Sequence, residues 1–201
     1  MIRGALFLSG AYLLGSIPFA FLVPRYLGGV DVRRAGSGNV GATNVWRTTR
    51  LSLALLVLLL DAGKGALAVL AVRLVGAPSG LQVAAGLCAI AGHMYPVWLG
   101  FQGGKGVATT GGVFAVIAPL ATVGATAVFL AVAWASRYAS VASMSAAVAL
   151  PAAAWLLPGA REATLAASVA AALVLWRHRD NMVRLRSGAE PRIGERPRET
   201  R

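Results

Sequence analysis

Six long apolar blocks alternate with short polar segments along this chain of 201 residues. Blocks near or above about 18 residues are long enough to cross the hydrocarbon core of a bilayer as helices. The pattern therefore predicts an all-α, polytopic integral membrane protein. The blocks run from Ile2 to Val23, Leu51 to Val75, Leu81 to Trp98, Val107 to Ala135, Ala139 to Leu157 and Ala163 to Trp176.

The fourth block, Val107 to Ala135, is too long for one ordinary span. Its 29 residues would form a helix of about 43 Å at ~1.5 Å per residue, against a hydrocarbon core of ~30 Å. Division at Pro119 gives two short spans instead. The number of predicted spans then rises from six to seven.

The positions of the basic residues decide between six and seven spans. Five arginines follow the first block, and eight lie between Arg177 and Arg201 after the last block. Basic loops usually face the cytoplasm, and only an odd number of spans puts both basic segments on one side. We therefore predict seven transmembrane helices, with the N-terminus outside and the C-terminus cytoplasmic. The fourth, fifth and seventh spans are short, so they need local bilayer thinning or cover from neighbouring helices.

Composition excludes an ordinary soluble domain and argues against a nucleic-acid partner. Hydrophobic residues make up 57% and charged residues 13% of the chain, whereas roughly 25% are charged in a typical soluble domain. The net charge of +12 is concentrated between the apolar blocks, where it suits anionic lipid head groups better than nucleic acid. We expect one membrane domain over residues 1–201, with a basic cytoplasmic tail from about His178.

The first polar segment, Gly36 to Arg47, reads GSGNVGATNVWR. Its glycines allow backbone amides to approach a phosphate closely, and its hydroxyl and amide side chains supply further hydrogen bonds. Arg47 adds a charged bidentate donor. A Gly- and Asn-rich turn between two spans has the same composition, so this segment alone is a weak signal.

A second polar segment, Gly92 to Gly112, places Lys105 between glycines just before an apolar block. An anion there would meet the lysine, free backbone amides and the positive end of a helix together. The segment is not a nucleotide P-loop, because Leu99 and Gly106 stand where that motif needs glycine and Ser/Thr. The alternative is a lysine that extends to the membrane interface beside a turn.

Other ionisable residues each have two interpretations. Asp61 and Lys64 share a helical face inside the second span, where they either neutralise each other or contact a substrate. His178 and Asn181 share a face if the last helix continues, and a histidine there can orient or deprotonate a hydroxyl. For His93, which precedes aromatic residues at the end of its span, a structural role is favoured.

Six short motifs follow one another along the chain: GSIPFA, GSGNVGATN, DAGKG, GHMYPVWLGFQGGKGVAT, SRYAS and HRDN. Taken together, they resemble the acyl-phosphate:glycerol-3-phosphate acyltransferase family, called PlsY, over nearly the whole chain. No single fragment is decisive, but the combination and spacing are specific. HRDN differs from the more familiar HREN by a change that keeps the carboxylate. Glu190 matches a tail glutamate that the family needs for structural integrity.

The resemblance implies transfer of a fatty acyl group from acyl phosphate to the sn-1 hydroxyl of glycerol-3-phosphate. The products are 1-acyl-glycerol-3-phosphate, which is lysophosphatidic acid, and phosphate. This reaction begins bacterial phospholipid synthesis, so the implied location is the bacterial cytoplasmic (inner) membrane. The implied partners are the two substrates, membrane lipids and the enzyme that produces acyl phosphate.

Two groups of residues form the site that this interpretation implies. Catalytic roles, which include holding phosphate and stabilising the transition state, are expected for Lys105, Arg47, Ser143, His178 and Asn181. Substrate-binding roles are expected for Ser37, Asn39, Thr43, Asn44, Gly103 and Gly104.

No metal or other cofactor is expected, because the cationic groups and backbone amides already balance phosphate charge and the chain has only seven carboxylates. Cys88 lies inside an apolar block and is predicted to be a packing residue. We therefore expect direct attack by the acceptor hydroxyl.

One alternative is a membrane transporter for organic phosphates, although the inverted repeats that are common in transporters are not visible. A thioester-dependent acyltransferase is the other, and neither histidine has the aspartate five positions on that one large family of these enzymes requires.

Overall fold

A computed structural model describes residues 2–157 and 161–195, and every regular element in these ranges is helical. The predicted all-α class is therefore confirmed for the described residues, while the last three arginines of the basic tail lie outside them. The helices are α1 Ile2–Ser16, α2 Phe19–Leu27, α3 Ala42–Thr48, α4 Leu51–Leu74, α5 Ser79–Met94, α6 Val107–Ile117, α7 Pro119–Ser136, α8 Ala139–Trp155, α9 Arg161–Arg177 and α10 Arg179–Arg186, with a 3-10 turn at Val97–Leu99.

Three helical segments within the described ranges are long and apolar enough to cross a membrane unaided: Ile2–Leu27, Leu51–Leu74 and Pro119–Ser136. Helices α6 and α8 are also apolar but shorter. Each of these short helices packs along a long one, α6 on α4 and α8 on α7. Both short helices thus have protein cover. The predicted fourth span, α6, is short as expected, whereas the fifth, α7, was expected to be short and is long enough to cross.

The first apolar block forms two helices instead of the single one predicted. Helix α1 ends at Ser16 and α2 begins at Phe19, because Pro18 has no amide hydrogen to continue the helical ladder. The carbonyl of Ile17 accepts a hydrogen bond from Lys64 Nζ at 2.8 Å instead. The break thereby joins the first block to the charged pair inside α4.

The predicted division at Pro119 is present. Helix α6 ends at Ile117 and α7 begins at Pro119. Proline is favoured at a first helical position, where its missing N–H would have no partner in any case. Ala118, which precedes it, has left the helical region with φ −142° and ψ 71°, as the residue before a proline usually does.

Glycine allows two pairs of helices to reach backbone contact. A Cβ added at Gly112 of α6 would lie 1.8 Å from the carbonyl oxygen of Ala62 in α4, and one at Gly92 of α5 would lie 2.2 Å from that of Tyr12 in α1. Small residues at such crossings are typical of helix packing in membranes. The crossing of α4 and α6 fixes where α6 begins, and therefore where Lys105 lies.

The polar segments meet at one end of the bundle. Arg47 Nη2 donates to the Pro191 carbonyl at 3.0 Å, and the Ile193 amide donates to the Arg137 carbonyl at 2.7 Å. At the other end, Arg73 Nη2 donates to the Val116 carbonyl at 3.0 Å and ties the end of α6 to the end of α4. The segments with candidate chemistry therefore share one end.

Candidate active site

A cavity of about 490 Å³ lies among the polar segments, within the ~300–1,000 Å³ that is usual for small-molecule sites. Helices α3 to α10 all contribute to its wall. It brings together nine of the predicted site residues, namely Ser37, Asn39, Thr43, Asn44, Arg47, Lys105, Ser143, His178 and Asn181. The other two, Gly103 and Gly104, lie outside the cavity wall.

Asn44 organises the loop that precedes α3. Its side-chain nitrogen Nδ2 donates to the carbonyls of Val32 at 2.9 Å and Ala35 at 3.1 Å. Its side-chain oxygen Oδ1 accepts from the Ser37 backbone amide at 2.9 Å. The side chain is 1% exposed, so these bonds fix the backbone that carries Ser37 and Asn39. Its predicted contact with substrate stays a prediction, because its polar groups already serve the loop.

Lys105 precedes the first turn of α6. Gly106 caps this helix in the left-handed region, with φ 78°, and the Thr110 amide closes the first helical hydrogen bond, to the Gly106 carbonyl at 2.7 Å. The amides of Val107, Ala108 and the residue after them therefore have no acceptor within the helix. Since Lys105 and the start of α6 both line the cavity, an anion there would meet a cation and a positive helix end together.

Gly103 and Gly104 form the buried base of the Lys105 loop. Their amides donate to the carbonyls of Met94 at 3.1 Å and His93 at 3.2 Å. A Cβ at Gly103 would lie 2.2 Å from the His93 carbonyl oxygen, and one at Gly104 would lie 2.3 Å from His93 Nε2. Both amides are therefore already hydrogen-bonded within the protein. Neither glycine offers a free amide for the predicted contact with phosphate in this structure.

The two cations that line the cavity are not neutralised by carboxylates. Within the described residues neither Arg47 nor Lys105 forms an ion pair, whereas the cavity carboxylates do: Asp61 pairs with Lys64 at 2.8 Å and Glu190 with Arg184 at 2.8 Å. Lys105 Nζ donates instead to the neutral Asn181 side chain, and Arg47 donates to a backbone carbonyl. The cavity therefore keeps two positive charges available for an anion.

Burial lowers the pKa of Lys105 to about 8. The nearby guanidinium groups of Arg184 and Arg47 lower this pKa further, while the Glu190 carboxylate opposes the shift. Burial likewise lowers the pKa of Arg47, whose guanidinium stays charged at any physiological pH. A phosphate bound in the cavity would be an anionic partner for both side chains, and it would therefore favour the protonated form of Lys105.

A tail residue, Glu190, holds Asn181 in place. Asn181 Nδ2 donates to Glu190 Oε1 at 2.6 Å, and Arg184 Nε donates to Glu190 Oε2 at 2.8 Å. Burial alone would raise the pKa of Glu190, but the surrounding hydrogen-bond donors outweigh it and keep this pKa below its usual value. An ionised Glu190 fixes the Asn181 amide so that its oxygen faces Lys105, which agrees with the structural role that the resemblance implied.

His178 is held in one tautomer. Its Nδ1 lies 2.8 Å from the Val174 carbonyl oxygen, which can only accept, so Nδ1 carries the proton and Nε2 is left as an acceptor. Burial, and next the Lys105 charge, lower the pKa of His178 to about 4. The ring is 2% exposed and lines the cavity, so at neutral pH it presents an uncharged acceptor nitrogen.

The other half of the cavity is apolar. Ser143 lies at the boundary, and its hydroxyl donates to the Ala139 carbonyl at 2.7 Å, which leaves its oxygen as an acceptor. Beyond it the wall consists of small and apolar residues from two packed helices, Thr122, Ala125, Thr126, Phe129 and Leu130 of α7 and Ala146, Ala147 and Leu150 of α8. A ligand with a charged head and a hydrocarbon tail matches this division.

Asp61 and Lys64 form an ion pair at 2.8 Å, which was one of the two interpretations of these residues. Both are 2% exposed, and Asp61 Oδ1 also lies 3.5 Å from His93 Nδ1. The His93 carbonyl accepts a hydrogen bond from the Gly104 amide, and the structural role that was favoured for this histidine stays a prediction. Asp61 and His93 also reach the cavity wall that Lys105 lines.

The sequence analysis missed two residues near the site. Thr110, one turn into α6, lines the cavity with a buried hydroxyl that has no hydrogen-bond partner among the described residues. Arg177 donates to the carbonyls of Gly103 and Gly104, although no motif marks it. Within residues 2–157 and 161–195, no group of three histidine, cysteine, aspartate or glutamate side chains could hold a metal ion.

These features define a helical protein with apolar, membrane-spanning segments and a cavity that has cations at one end and apolar side chains at the other. The family model described as glycerol-3-phosphate acyltransferase matches residues 5–188 of the chain. The chain therefore belongs to the glycerol-3-phosphate acyltransferase family, and the resemblance seen in the motifs is confirmed. Membership of this family favours an acyltransferase over the transporter alternative.

Relatives resemble the chain over almost its full length. The glycerol-3-phosphate acyltransferase of Synechococcus sp. (strain CC9902) is 49% identical over 196 residues, which cover 98% of each chain. That of Myxococcus xanthus (strain DK1622) is 50% identical over 193 residues, or 96% of this chain and 100% of the relative.

Two crystal structures resemble the fold closely. They are of PlsY (YgiH), an integral membrane glycerol 3-phosphate acyltransferase, in its glycerol 3-phosphate form and its lysophosphatidic acid form. The TM-scores are 0.89 and 0.88, at 39% identity and with 96% of both chains covered. Together with the apolar helices, this similarity identifies the chain as an integral membrane protein.

Proposed function

We propose that this protein transfers a fatty acyl group from acyl phosphate to the sn-1 hydroxyl of glycerol-3-phosphate, which gives lysophosphatidic acid and phosphate. The observation that carries the proposal is a pair of cations, Lys105 and Arg47, that have no carboxylate partner among residues 2–157 and 161–195. They lie at the polar end of a cavity whose other end is apolar. Both substrates carry a phosphate, and one also carries a hydrocarbon chain. The cavity offers a matching environment for each part.

The chemistry that we propose is direct transfer without a covalent enzyme intermediate. The acceptor hydroxyl oxygen forms a bond to the acyl carbon, and the bond between that carbon and the phosphate oxygen breaks. Lys105, Arg47 and the first amides of α6 hold the charge that develops on the phosphates. Cys88 has no place in this scheme, because it is not among the residues that line the cavity.

His178 orients the acceptor hydroxyl in this scheme, and a substrate phosphate takes the proton. The Nε2 atom accepts a hydrogen bond from the hydroxyl, while the carbonyl of Val174 holds the ring. With a pKa of about 4, the imidazole binds a proton less strongly than a phosphate dianion, whose pKa is ~6. The proton therefore ends on phosphate, and Ser143 and Asn181 complete the polar wall.

We also propose the predicted topology of seven spans in the bacterial cytoplasmic membrane, with the N-terminus outside and the site on the cytoplasmic side. Lys105 before α6 contacts the tail at Asn181, and Arg137 after α7 contacts it at Ile193. The end of α6, at Val116, is bonded to Arg73 at the opposite end of the bundle. This arrangement supports two crossings between Val107 and Ala135. A cytoplasmic site is open to soluble glycerol-3-phosphate and to the enzyme that supplies acyl phosphate.

The test is a donor comparison with the purified protein in detergent. Labelled glycerol-3-phosphate is incubated with acyl phosphate or with acyl-CoA of the same chain length, and the labelled lipid is analysed for its position of acylation. We expect 1-acyl product with acyl phosphate and only background with acyl-CoA. Product from acyl-CoA alone, or 2-acyl product, would contradict the proposal.

A further inference from the structure

Arg177, the last residue of α9, connects two parts of the site without lining the cavity. Its Nε donates to the Gly104 carbonyl at 3.1 Å and its Nη2 to the Gly103 carbonyl at 2.6 Å. The guanidinium carbon lies 5.3 Å from the centre of the Tyr95 ring. The next residue in the chain is His178.

The loop before Lys105 is therefore held from two sides. The amides of Gly103 and Gly104 are bonded to the end of α5, through Met94 and His93, and their carbonyls are bonded to Arg177 at the end of α9. A planar guanidinium can reach two neighbouring carbonyls at once, whereas an ammonium group lacks that fixed fork. The backbone that leads into Lys105 thus has its position set relative to α9.

We propose that Arg177 is a positioning residue for the anion site, which fixes Lys105 relative to His178 and Asn181. This inference rests on the proposed function. A misplacement of about 1 Å is sufficient to lower the rate of an enzyme ~100-fold. Arg177 and His178 are neighbours in the chain. The same helix end therefore carries both the guanidinium that holds the Lys105 loop, here called the clamp, and the acceptor nitrogen of His178.

Arg179 supplies a matched control two residues away. It has the same side chain, but its guanidinium lies 5.1 Å from the Trp176 ring, donates to the Trp176 carbonyl at 3.3 Å and lies 3.8 Å from the Asp180 carboxylate. It has no contact with the Lys105 loop in the described structure. Loss of Arg179 therefore removes one positive charge from the same region and leaves the clamp intact.

The experiment compares wild type with Arg177→Gln, Arg177→Lys and Arg179→Gln in two assays. The first measures kcat and KM for glycerol-3-phosphate with acyl phosphate as donor, together with the thermal midpoint of unfolding. The second needs no turnover: it measures by mass spectrometry how fast an amine reagent labels Lys105 as pH rises. A lysine-containing peptide added to each reaction is the reference for the reactivity of the reagent at each pH.

Arg177→Gln should lower kcat/KM about 100-fold, with Arg177→Lys between it and wild type and Arg179→Gln within about twofold of wild type. Release of the loop also exposes Lys105 to water, so the labelling midpoint should move upward from about 8 in Arg177→Gln, by less in Arg177→Lys and not in Arg179→Gln. The charged and titratable groups that face Lys105 are unchanged in all variants; they are Glu190, Arg184, Arg47, Asp180 and His178.

Equal kinetics and equal Lys105 labelling in Arg177→Gln and Arg179→Gln would overturn the inference. A loss of activity with a lower unfolding temperature but an unchanged labelling midpoint would also overturn it, because it would assign Arg177 to general stability. If wild type itself forms no product, the proposed function fails, and the labelling assay still decides whether Arg177 positions Lys105.

Discussion

At the scale of single residues, Lys105 and Arg47 differ from the other charged side chains that line the cavity. Asp61 and Glu190 each have a cationic partner, while within the described residues the two cations have neutral hydrogen-bond acceptors only. Separating a buried cation from water without an anionic partner costs free energy. A phosphate that binds there recovers part of that free energy, which makes these two residues the centre of the account.

The first prediction concerns the Lys105 side chain. Lys105→Ala should lower kcat/KM for glycerol-3-phosphate by a factor of ~100 or more, about 3 kcal/mol, because a fixed group that stabilises developing charge typically contributes this much. The thermal midpoint of unfolding should stay close to that of wild type. Near-normal turnover in a folded Lys105→Ala protein would assign the lysine to the membrane interface instead.

The second prediction concerns pH. The charged form of Lys105 binds phosphate, and burial lowers its pKa to about 8, so kcat/KM should be maintained below that pH and fall above it. The acceptor phosphate becomes a dianion above pH ~6, which sets the lower limit. In Lys105→Arg the alkaline decrease should disappear, since arginine stays charged. An identical decrease in Lys105→Arg would show that another group titrates.

At the scale of elements, the sequence indicated which polar segments line the cavity but not how the backbone between them is held. Gly103 and Gly104 were expected to offer amides to phosphate, yet these amides bond to the end of α5. Arg177 was not recognised because its acceptors are backbone carbonyls. Every residue has such a carbonyl, so the sequence does not show which one will accept. Asn44 was chosen for its polarity, whereas its burial among carbonyls requires the fold to be known.

The third prediction concerns the topology of the helices. In a protein without Cys88, single cysteines at Ser37, Gln102, Ser136 and Ser187 should react with an impermeant reagent from the cytoplasmic side, and one at Ser79 only from outside. Gln102 is exposed, whereas a side chain at Gly103 would clash with the His93 carbonyl. Labelling of position 136 only from outside would contradict the two crossings on either side of Pro119.

At the scale of the whole molecule, hydrophobic pattern and charge distribution were sufficient to predict an all-α membrane protein and the division at Pro119. Both follow from local rules on apolar length and on proline. The break at Pro18 was not predicted, because the apolar block continues through it. The Lys64 ammonium that satisfies the Ile17 carbonyl there comes from another helix, so only the packed molecule reveals it.

The cavity is also a property of the whole molecule, since α3 and α10 supply its polar end while α7 and α8 supply its apolar end. The proposed direct transfer requires acyl phosphate and glycerol-3-phosphate to be held together in this cavity. No acyl group needs to rest on the protein. Direct transfer within one cavity is the central claim of this account.

The most direct test is isotope exchange in the absence of the acceptor. Purified protein that makes lysophosphatidic acid from both substrates is incubated with acyl phosphate and labelled inorganic phosphate, without glycerol-3-phosphate. Direct transfer predicts that no label enters acyl phosphate and that no peptide of the protein carries an acyl group by mass spectrometry. Rapid exchange of label together with an acylated peptide would establish a covalent intermediate and contradict the claim.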